Sequence, residues 1–236
     1  INLQQFCKSN CLFRNTVAML TRDLISNSIP YLHQEDKVFH ALQLMNDYHV
    51  AHLPVVENEN YLRIISEEQL LQSDEENTIK QLAVTDGPTS VQANDHFLKA
   101  IQTAVINNLS IVPVVEEKLL VGIVTYNDLL KNASDFMSLN QPGALIVLEM
   151  ESNSYSFTEI NRIVESNDAQ ITQLNTFTDP ETGMMQVTIR INKLEVSDIL
   201  STFQRYEYNV KYYFGEELYE NELRTNYDNL MNYLKI

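Results

Sequence analysis

The sequence predicts an α+β protein in which a duplicated unit is followed by a smaller βαββαβ domain and a C-terminal helix. Three observations support this prediction: one segment occurs twice at an offset of 59 residues, a turn-rich break SLNQPG lies at 138–143, and the order of strand-like and helix-like patterns changes beyond that break. A repeat of this length is one supersecondary unit used twice, and a single copy is too small to bury its own sheet face. The two copies are therefore expected to pack together.

The charge balance limits the function classes. The 236 residues include 16 basic and 32 acidic side chains, so the formal net charge is −16. Such a chain repels a phosphate backbone, which argues against non-specific binding to nucleic acid or to an anionic membrane. No apolar run reaches the roughly 18 residues that a membrane helix needs, and the N-terminus lacks the apolar core of a secretory signal. A cytoplasmic location is expected.

Residues 1–18 differ from the rest of the chain. They hold two basic residues, no acidic residue and the only cysteines, Cys7 and Cys11. They show no sustained helical or strand period, and regular patterning begins only after Met19. We interpret this segment as a tail, either a genuine flexible one or a non-native extension. The folded body is then expected to depend on no disulfide and no thiolate metal site.

The first copy begins with a helical pattern behind Asp36, which we interpret as an N-capping aspartate. The apolar positions that keep helical spacing are Val38, Ala41, Leu42, Met45 and Val50. Two strands follow, AHLPVVE and YLRIIS, and EEQLLQS indicates the first turns of another helix. The connection SDEENTIKQLAVTDGPTSV supplies an acidic loop, a short helix and a turn.

The second copy begins at Asp95 with another capped amphipathic pattern, DHFLKAIQTAVINNL. It continues through SIVPVVEEKLLVGIVTYNDLL at 110–130, which predicts a buried strand, an acidic turn, a second buried strand and the start of a helix. Over 36–71 the two copies align without a gap and share 10 identities in 36 positions. Both contain PVVE, so the duplication is explicit in the sequence.

Beyond the break the predicted order is strand ALIVLEM, helix FTEINRIVES, strands AQITQLNTF and MMQVTIRI, helix VSDILSTFQRY and strand NVKYYF. The turn DPETG between the middle strands predicts a hairpin, and the order as a whole is that of the split βαβ sandwich. The last segment carries Tyr219, Leu223, Tyr227, Leu230 or Met231, and Leu234 on one stripe, which predicts an amphipathic helix. The predicted bounds are 1–18 for the tail, 19–78 and 79–138 for the two copies, 139–143 for a linker, 144–215 for the βαββαβ domain and 216–236 for the helix.

The repeated helix, the PVVE strand, the second strand and the Gly-x-x-Thr-x-x-Asp ending at 122–128 resemble the CBS domain, which occurs in tandem as a Bateman module. The βαββαβ tail resembles the ACT domain, a small regulatory fold, and the combination is similar to the acetoin-utilisation B type of CBS protein. The resemblance implies a cytoplasmic, non-enzymatic homodimer that senses an adenine nucleotide, such as AMP or ATP, or a related adenosyl ligand. It implies no metal and no further cofactor, and it leaves the regulated partner protein unknown.

In this family a hydroxyl and a carboxylate at the end of the second strand hold the ribose of the nucleotide. The matching residues are Thr125 and Asp128, and Gly122 lets the backbone come close. A carboxylate can accept from both ribose hydroxyls, while a threonine both donates and accepts. The segment matching the strand that lines the adenine consists of Ser110, Ile111 and Val112. Lys131 could meet a phosphate.

The first copy departs from this pattern. Arg63 stands at the position of Gly122 and Gln69 at that of Asp128, although Ser66 still matches Thr125. A bulky charge replaces a site of close approach, and an amide replaces the carboxylate. We therefore expect a degraded site or one with a changed ligand. Arg63 is either a phosphate contact for the neighbouring site or, in the other interpretation, a solvent-facing or interface residue.

Other functions find less support in the sequence. The turn ESNSYSF at 151–157 lacks the glycine that usually grips an amino acid in ACT domains, so a dimerisation or scaffolding role is expected for the tail. There is no Gly-rich phosphate loop with lysine, no nucleophile elbow and no His-Glu-x-x-His. His49 and His52 are interpreted as packing or surface histidines rather than a metal pair. The alternative to the sensor is a ligand-free dimerisation and interaction scaffold.

Overall fold

The computed structural model describes residues 18–26, 28–82 and 89–215, and these divide into two compact units between Phe136 and Met137. Apart from Ala18, the predicted tail lies outside the described residues, and so does the predicted helix at 216–236. Within the described ranges, no helix combines the length and the apolar character that crossing a bilayer requires.

The first unit contains one six-stranded sheet in the order β1-β2-β3-β6-β5-β4. Its strands are β1 (Leu32–His33), β2 (His52–Glu57), β3 (Asn60–Ser66), β4 (Val91–Gln92), β5 (Ile111–Glu116) and β6 (Leu119–Thr125). Its α-helices are α1 (Val38–Tyr48), α2 (Glu67–Leu71), α3 (Phe97–Ile106) and α4 (Tyr126–Phe136), and short 3-10 helices lie at Thr21–Leu24 and Ile79–Gln81. This order confirms the predicted duplication, since each copy supplies three strands and two α-helices.

The two copies share their pairing register as well as their element order. In the hairpin β2–β3, Val55 pairs with Arg63 just before a β-bulge, and in β5–β6, Val114 pairs with Gly122 at the same place. The hairpins meet where Asn60 pairs with Leu119. Both PVVE strands are buried up to their glutamate, as expected of short apolar runs in the centre of a sheet.

The predicted caps at Asp36 and Asp95 are wrong. Helix α1 begins at Val38 without a side-chain cap, and the Asp36 carboxylate instead accepts from the His33 amide at 2.7 Å. Asp95 likewise accepts from the Gln92 amide at 2.8 Å. Each aspartate therefore closes the turn after the short parallel strand of its own copy, two residues before the helix.

The cores of the two copies are interleaved. The cluster around Leu53 and Ile65 of the first copy includes Ile111 and Ile123 of the second. The cluster around Val112 and Val124 is in turn covered by Leu24 and Ile25, which lie at the start of the first copy. Neither copy completes its core alone, which confirms that the two pack together.

The second unit is a four-stranded antiparallel sheet in the order β10-β7-β9-β8. Its elements are β7 (Ala144–Glu151), α5 (Phe157–Glu165), β8 (Ile171–Thr178), β9 (Met184–Ile191), α6 (Ser197–Arg205) and β10 (Asn209–Phe214), with a 3-10 helix at Ser152–Ser154. This is the ferredoxin-like βαββαβ fold that the sequence predicts, including the β8–β9 hairpin. The turn ESNSYSF provides the 3-10 helix and then Ser156, whose hydroxyl caps α5 by accepting from the Glu159 amide at 3.3 Å.

Candidate functional site

Thr125 and Asp128 lie where strand β6 passes into helix α4. The Thr125 hydroxyl is 2.6 Å from Asp128 Oδ2 and accepts from the Asp128 amide at 3.1 Å, while the Thr125 amide reaches the same Oδ2 at 3.4 Å. This is a reciprocal cap, in which residues three apart satisfy each other's backbone amides at a helix start. The pair therefore has a structural role that does not require a ligand.

The cap occupies only one side of the Asp128 carboxylate. The two hydrogen bonds that this carboxylate accepts, from the Thr125 amide and the Thr125 hydroxyl, both use Oδ2, and no described residue donates to Oδ1. An ionised carboxylate has acceptor sites on both oxygens. Oδ1 is thus available to accept from a hydroxyl of a bound molecule.

Asp128 lines a cavity of about 270 Å³, here called the Asp128 cavity, between α4 and the segment that precedes β1. That segment is held in place because the Ser26 amide donates to the Ile123 carbonyl at 2.8 Å. The buried Asn132 fixes its other end, since its side chain accepts from the Ala18 amide at 3.0 Å and donates to the Ala18 carbonyl at 2.9 Å. Both repeats therefore contribute walls to this cavity.

The charged residues that line the Asp128 cavity are Asp23, Asp128, Lys131 and Asp135. Lys131, which the sequence suggests as a phosphate contact, does lie beside the same cavity as Asp128. Three carboxylates and one ammonium group make the described lining acidic, which suits hydroxyl donors better than several phosphates.

Ser110, Ile111 and Val112 are not among the lining residues of the Asp128 cavity. Ile111 and Val112 are fully buried in the two core clusters. The Ser110 hydroxyl accepts from the Ala51 amide at 3.0 Å, so Ser110 connects the second repeat to the first. The structure thus brings Thr125 and Asp128 together and places the predicted adenine-lining strand in the interior.

The interface between the repeats also contains His52, which begins β2. Its Nδ1 accepts from the Ser110 amide at 3.2 Å and lies 3.1 Å from the Ser110 hydroxyl. Burial of the imidazole lowers the pKa of His52 below its ordinary value of 6.5. The sequence gives no signal for this contact, because residues 52 and 110 meet only once both hairpins are in one sheet.

In the first repeat, Ser66 and Gln69 form a capping box at the start of α2. The Gln69 amide donates to the Ser66 hydroxyl at 3.2 Å, and Gln69 Oε1 accepts from the Ser66 amide at 3.0 Å. Exchange of Asp for Gln therefore preserves the cap while removing a charge. At this position the two copies therefore differ in side-chain charge and not in the helix cap.

Arg63, at the position that matches Gly122, forms a hydrogen bond within the protein. Its Nη2 donates to the Ile79 carbonyl at 2.8 Å and so ties β3 to the 3-10 helix that follows the first copy. Partial burial lowers the pKa of the guanidinium group. The backbone of Gly122 has φ 159°. Arg63 lies beside the matching bulge of the first copy, so the bulge itself tolerates a side chain. The sequence allows two interpretations of Arg63, a phosphate contact and a solvent-facing or interface residue. The hydrogen bond to the Ile79 carbonyl fits an interface residue.

A second and larger cavity, here called the first-repeat cavity, has a volume of about 860 Å³. Ser66 and Gln69 line it together with His52, and the second repeat contributes Asn107 and Asn108 from the end of α3. The expected degraded site thus has more space than the Asp128 cavity. Sequence reasoning missed the two asparagines, although adjacent asparagines after a helical pattern are a recognisable helix-end signal.

Comparison with known proteins identifies the family of the two repeats. The CBS-domain family model matches residues 21–76 and 79–135. One similar solved structure is a CBS domain pair/ACT domain protein from Thermotoga maritima, with 21% identity over 50% of this chain and 98% of that chain and a TM-score of 0.45. A second, from Vibrio cholerae, is described as a protein of acetoin utilization (AcuB). It has 23% identity over 53% of this chain and 96% of that chain and a TM-score of 0.46. A third is CBSX2 in complex with AMP, with 18% identity over 50% and 98% and a TM-score of 0.44.

Proposed function

This chain is a tandem CBS-domain protein, and on that premise we propose that its repeat pair is a regulatory module that binds an adenosyl ligand in the Asp128 cavity. CBS domains are regulatory modules that generally lack catalytic activity, and we propose the same for this chain. The observation that carries the proposal is the state of the Asp128 carboxylate. One oxygen is held by the helix cap, and the other has no described donor beside a cavity.

The chemistry of a ribose fits that carboxylate. Asp128 Oδ1 can accept from one or both ribose hydroxyls, and its position is fixed in advance by the Thr125 cap. A fixed acceptor loses little conformational entropy when the ligand arrives. The apolar side chains of Leu24 and Ile25, on the opposite wall, can contact the flat face of a base.

Regulation would follow from the shared walls of the cavity. Its lining comes from α4 of the second repeat and from Asp23, Leu24 and Ile25 at the start of the first, so a bound ligand touches both repeats. A ligand shifts a conformational equilibrium only by the difference between its affinities for the two states. We therefore propose that the signal is a change in how firmly residues 18–26 are held against α4.

The test is calorimetric titration with adenosine, AMP, ADP, ATP and S-adenosylmethionine, comparing the wild type with Asp128→Asn. The asparagine retains an acceptor for the cap but removes the charge that receives the ribose hydroxyls, so we expect affinity to fall about tenfold with little change in melting temperature. Asp198→Asn, which makes the same charge change at an exposed position in α6, is the matched control. The proposal fails if Asp128→Asn binds as tightly as Asp198→Asn.

A second candidate function, a ligand-free dimerisation scaffold, has a specific observation in its favour. Several apolar side chains on the helices of the first unit are more than half exposed, namely Phe39, Leu71, Val105, Ile106 and Leu130. Exposed apolar groups of this kind mark association surfaces when they form a contiguous patch. Sedimentation of the wild type and of Leu130→Glu tests this function. A dimer that dissociates in the variant supports it, and a monomeric wild type rejects it.

A further inference from the structure

The sheet of the second unit has one face covered by α5 and α6 and an opposite face, here called the open face, which these helices do not cover. Both helices share a core cluster with Ile146 and Leu148 of β7. Because side chains alternate along a strand, the neighbouring Leu145 and Val147 lie on the open face. Both of these apolar side chains are only half-buried.

Aromatic side chains extend the apolar surface of the open face. Residues directly opposite each other in an antiparallel pair share a face, so Tyr212 lies beside Val147 and Phe214 beside Leu145. Tyr212 is 55% exposed and Phe214 is 65% exposed. The register of β8 with β9 and β7 places Phe177 on the same face, where it is 61% exposed. A solvated face of an antiparallel sheet normally carries polar side chains at such positions, so this surface is suited to a further packing partner.

The charged groups of the open face nearly cancel. Lys211 forms an ion pair with Glu149, and its Nζ lies 6.0 Å from the centroid of the Tyr212 ring. The register of β7 with β9 places Arg190 and Glu151 on the same face. These two cations and two carboxylates leave the face close to neutral in a chain of net charge −16. An acidic segment is therefore not repelled here, and apolar contact decides what packs on the face.

Residues 216–236 leave the sheet at the edge of this surface. Strand β10 ends at Phe214, and Gly215 follows at a place where a Cβ atom would lie 2.7 Å from the Leu194 carbonyl oxygen. Such close packing fixes the path of the chain at its exit from the sheet. The first residue of the predicted apolar stripe, Tyr219, comes four positions later. Four residues span at most about 14 Å, which is enough for the chain to turn from the edge strand onto the open face.

The predicted stripe also fits the open face in length. It runs from Tyr219 to Leu234, which corresponds to about 22 Å at about 1.5 Å per residue of helix. The outer strands of a four-stranded sheet lie about 14 Å apart, so the stripe can cross every strand. A short tether holds such a segment at a local concentration on the order of millimolar. The tether therefore favours the face of the same chain over that of a second copy.

We propose that the apolar stripe of residues 216–236 packs on the open face of its own chain. The second unit then has three layers, with α5 and α6 on one side of the sheet and the C-terminal segment on the other. Tyr212 and Phe214 are buried by this segment. The proposal goes beyond the ligand-binding function, because it concerns the second unit and does not depend on the Asp128 cavity.

Hydrogen exchange of the full-length protein, measured by mass spectrometry, tests the segment. We expect the amides of 219–234 to exchange at least about tenfold more slowly than those of an unstructured chain. Leu223→Glu/Leu230→Glu places two charges within the stripe and should remove most of this protection. Thr225→Glu/Asn232→Glu adds the same charges on the opposite side of the predicted helix and should change exchange by less than about twofold. Exchange of the wild-type segment at the unstructured rate, or equal effects of the two double variants, would overturn the proposal.

A second pair of variants tests the face. Tyr212→Glu introduces a carboxylate into the open face, and we expect it to raise exchange in 216–236 at least about fivefold while β7 and β9 stay protected. Tyr206→Glu makes the same change at a tyrosine that follows α6 and is 43% exposed, and it should leave exchange in the segment unchanged. Protection of 216–236 that survives Tyr212→Glu would mean that the segment packs elsewhere, and the proposal would be rejected.

Co-expression of two variant chains distinguishes the same chain from a second copy as the location of the docked segment. One chain carries Tyr212→Glu and an intact segment, and the other carries Leu223→Glu/Leu230→Glu and an intact face. Docking within a chain leaves both segments unprotected, which is the expected result. If the segments were exchanged between copies, the intact segment would pack on the intact face and regain its protection. Recovery of that protection in the mixed protein would reject docking within the chain.

Discussion

The imidazole of His52 links the two repeats and also lines a cavity. Its Nδ1 holds Ser110 of the other repeat, and its ring borders the first-repeat cavity. Neither feature is visible in the sequence, where His52 stands three residues from His49 and both are interpreted as packing or surface histidines. His49 instead ends α1 in a left-handed conformation with φ 54°.

The contact of His52 predicts a pH dependence of stability. Since the pKa of His52 is lower in the folded state than the ordinary value of 6.5, the unfolded chain binds more protons as the pH falls through 6.5. The stabilisation is therefore complete above that pH and is lost progressively below it. We expect the melting temperature of the wild type to fall between pH 7.5 and pH 5.5 and that of His52→Asn to fall less. Equal slopes for the two proteins would contradict this assignment.

Gly143 predicts a different effect at the residue scale. A Cβ atom at this position would lie 2.2 Å from the Ile191 carbonyl oxygen, so the start of β7 cannot approach β9 with any side chain there. We expect Gly143→Ala to lower the free energy of unfolding of the second unit by about 2 kcal/mol. Thermal unfolding measures this effect. Gly183→Ala is the comparison, because that position has open space but a left-handed φ of 70°. A Gly143→Ala melting temperature at or above that of Gly183→Ala would contradict it.

At the scale of elements, the reciprocal caps explain why both copies keep the same spacing with different residues. Thr125 with Asp128 and Ser66 with Gln69 begin α4 and α2 by the same hydrogen-bond pattern. Comparison of the two copies predicts that the first has lost part of the binding site. The caps show that the helix start is kept when glutamine replaces the aspartate. The predicted cap at Asp36 is wrong because an aspartate that closes a turn just before a helix and an aspartate that caps the helix occur in similar sequences.

The cap at α4 can be tested without a ligand. Thr125→Ala removes the hydroxyl that accepts from the Asp128 amide, and we expect the free energy of unfolding to fall by about 1 kcal/mol. Thr125→Ser keeps the hydroxyl and should retain most of that stability. Chemical denaturation of the two variants measures the difference. Equal stability of the alanine and serine variants would show that the cap contributes nothing.

At the scale of the whole molecule, the interleaved cores predict that the two repeats unfold together. Ile111 belongs to the second repeat but is fully buried in the core cluster of the first. Ile111→Ala should therefore lower stability by about 3 kcal/mol and increase amide hydrogen exchange in β2 and β3 as well as in β5. Val187→Ala, a buried position in the second unit, is the control for a general loss of stability. Exchange that increases only in the second repeat would contradict the shared core.

The sequence by itself determined the duplication, the buried PVVE strands and the βαββαβ order. These features depend on side-chain periodicity and on turn residues that are neighbours in the chain, so local patterns are sufficient to predict them. The tertiary structure alone decided that Ser110 faces His52, that Ile111 completes the other repeat's core and that both repeats line the larger of the two cavities. Each of these depends on which residues meet across the joined hairpins and across a gap of about sixty positions, and that is set by the packing of both copies into one sheet.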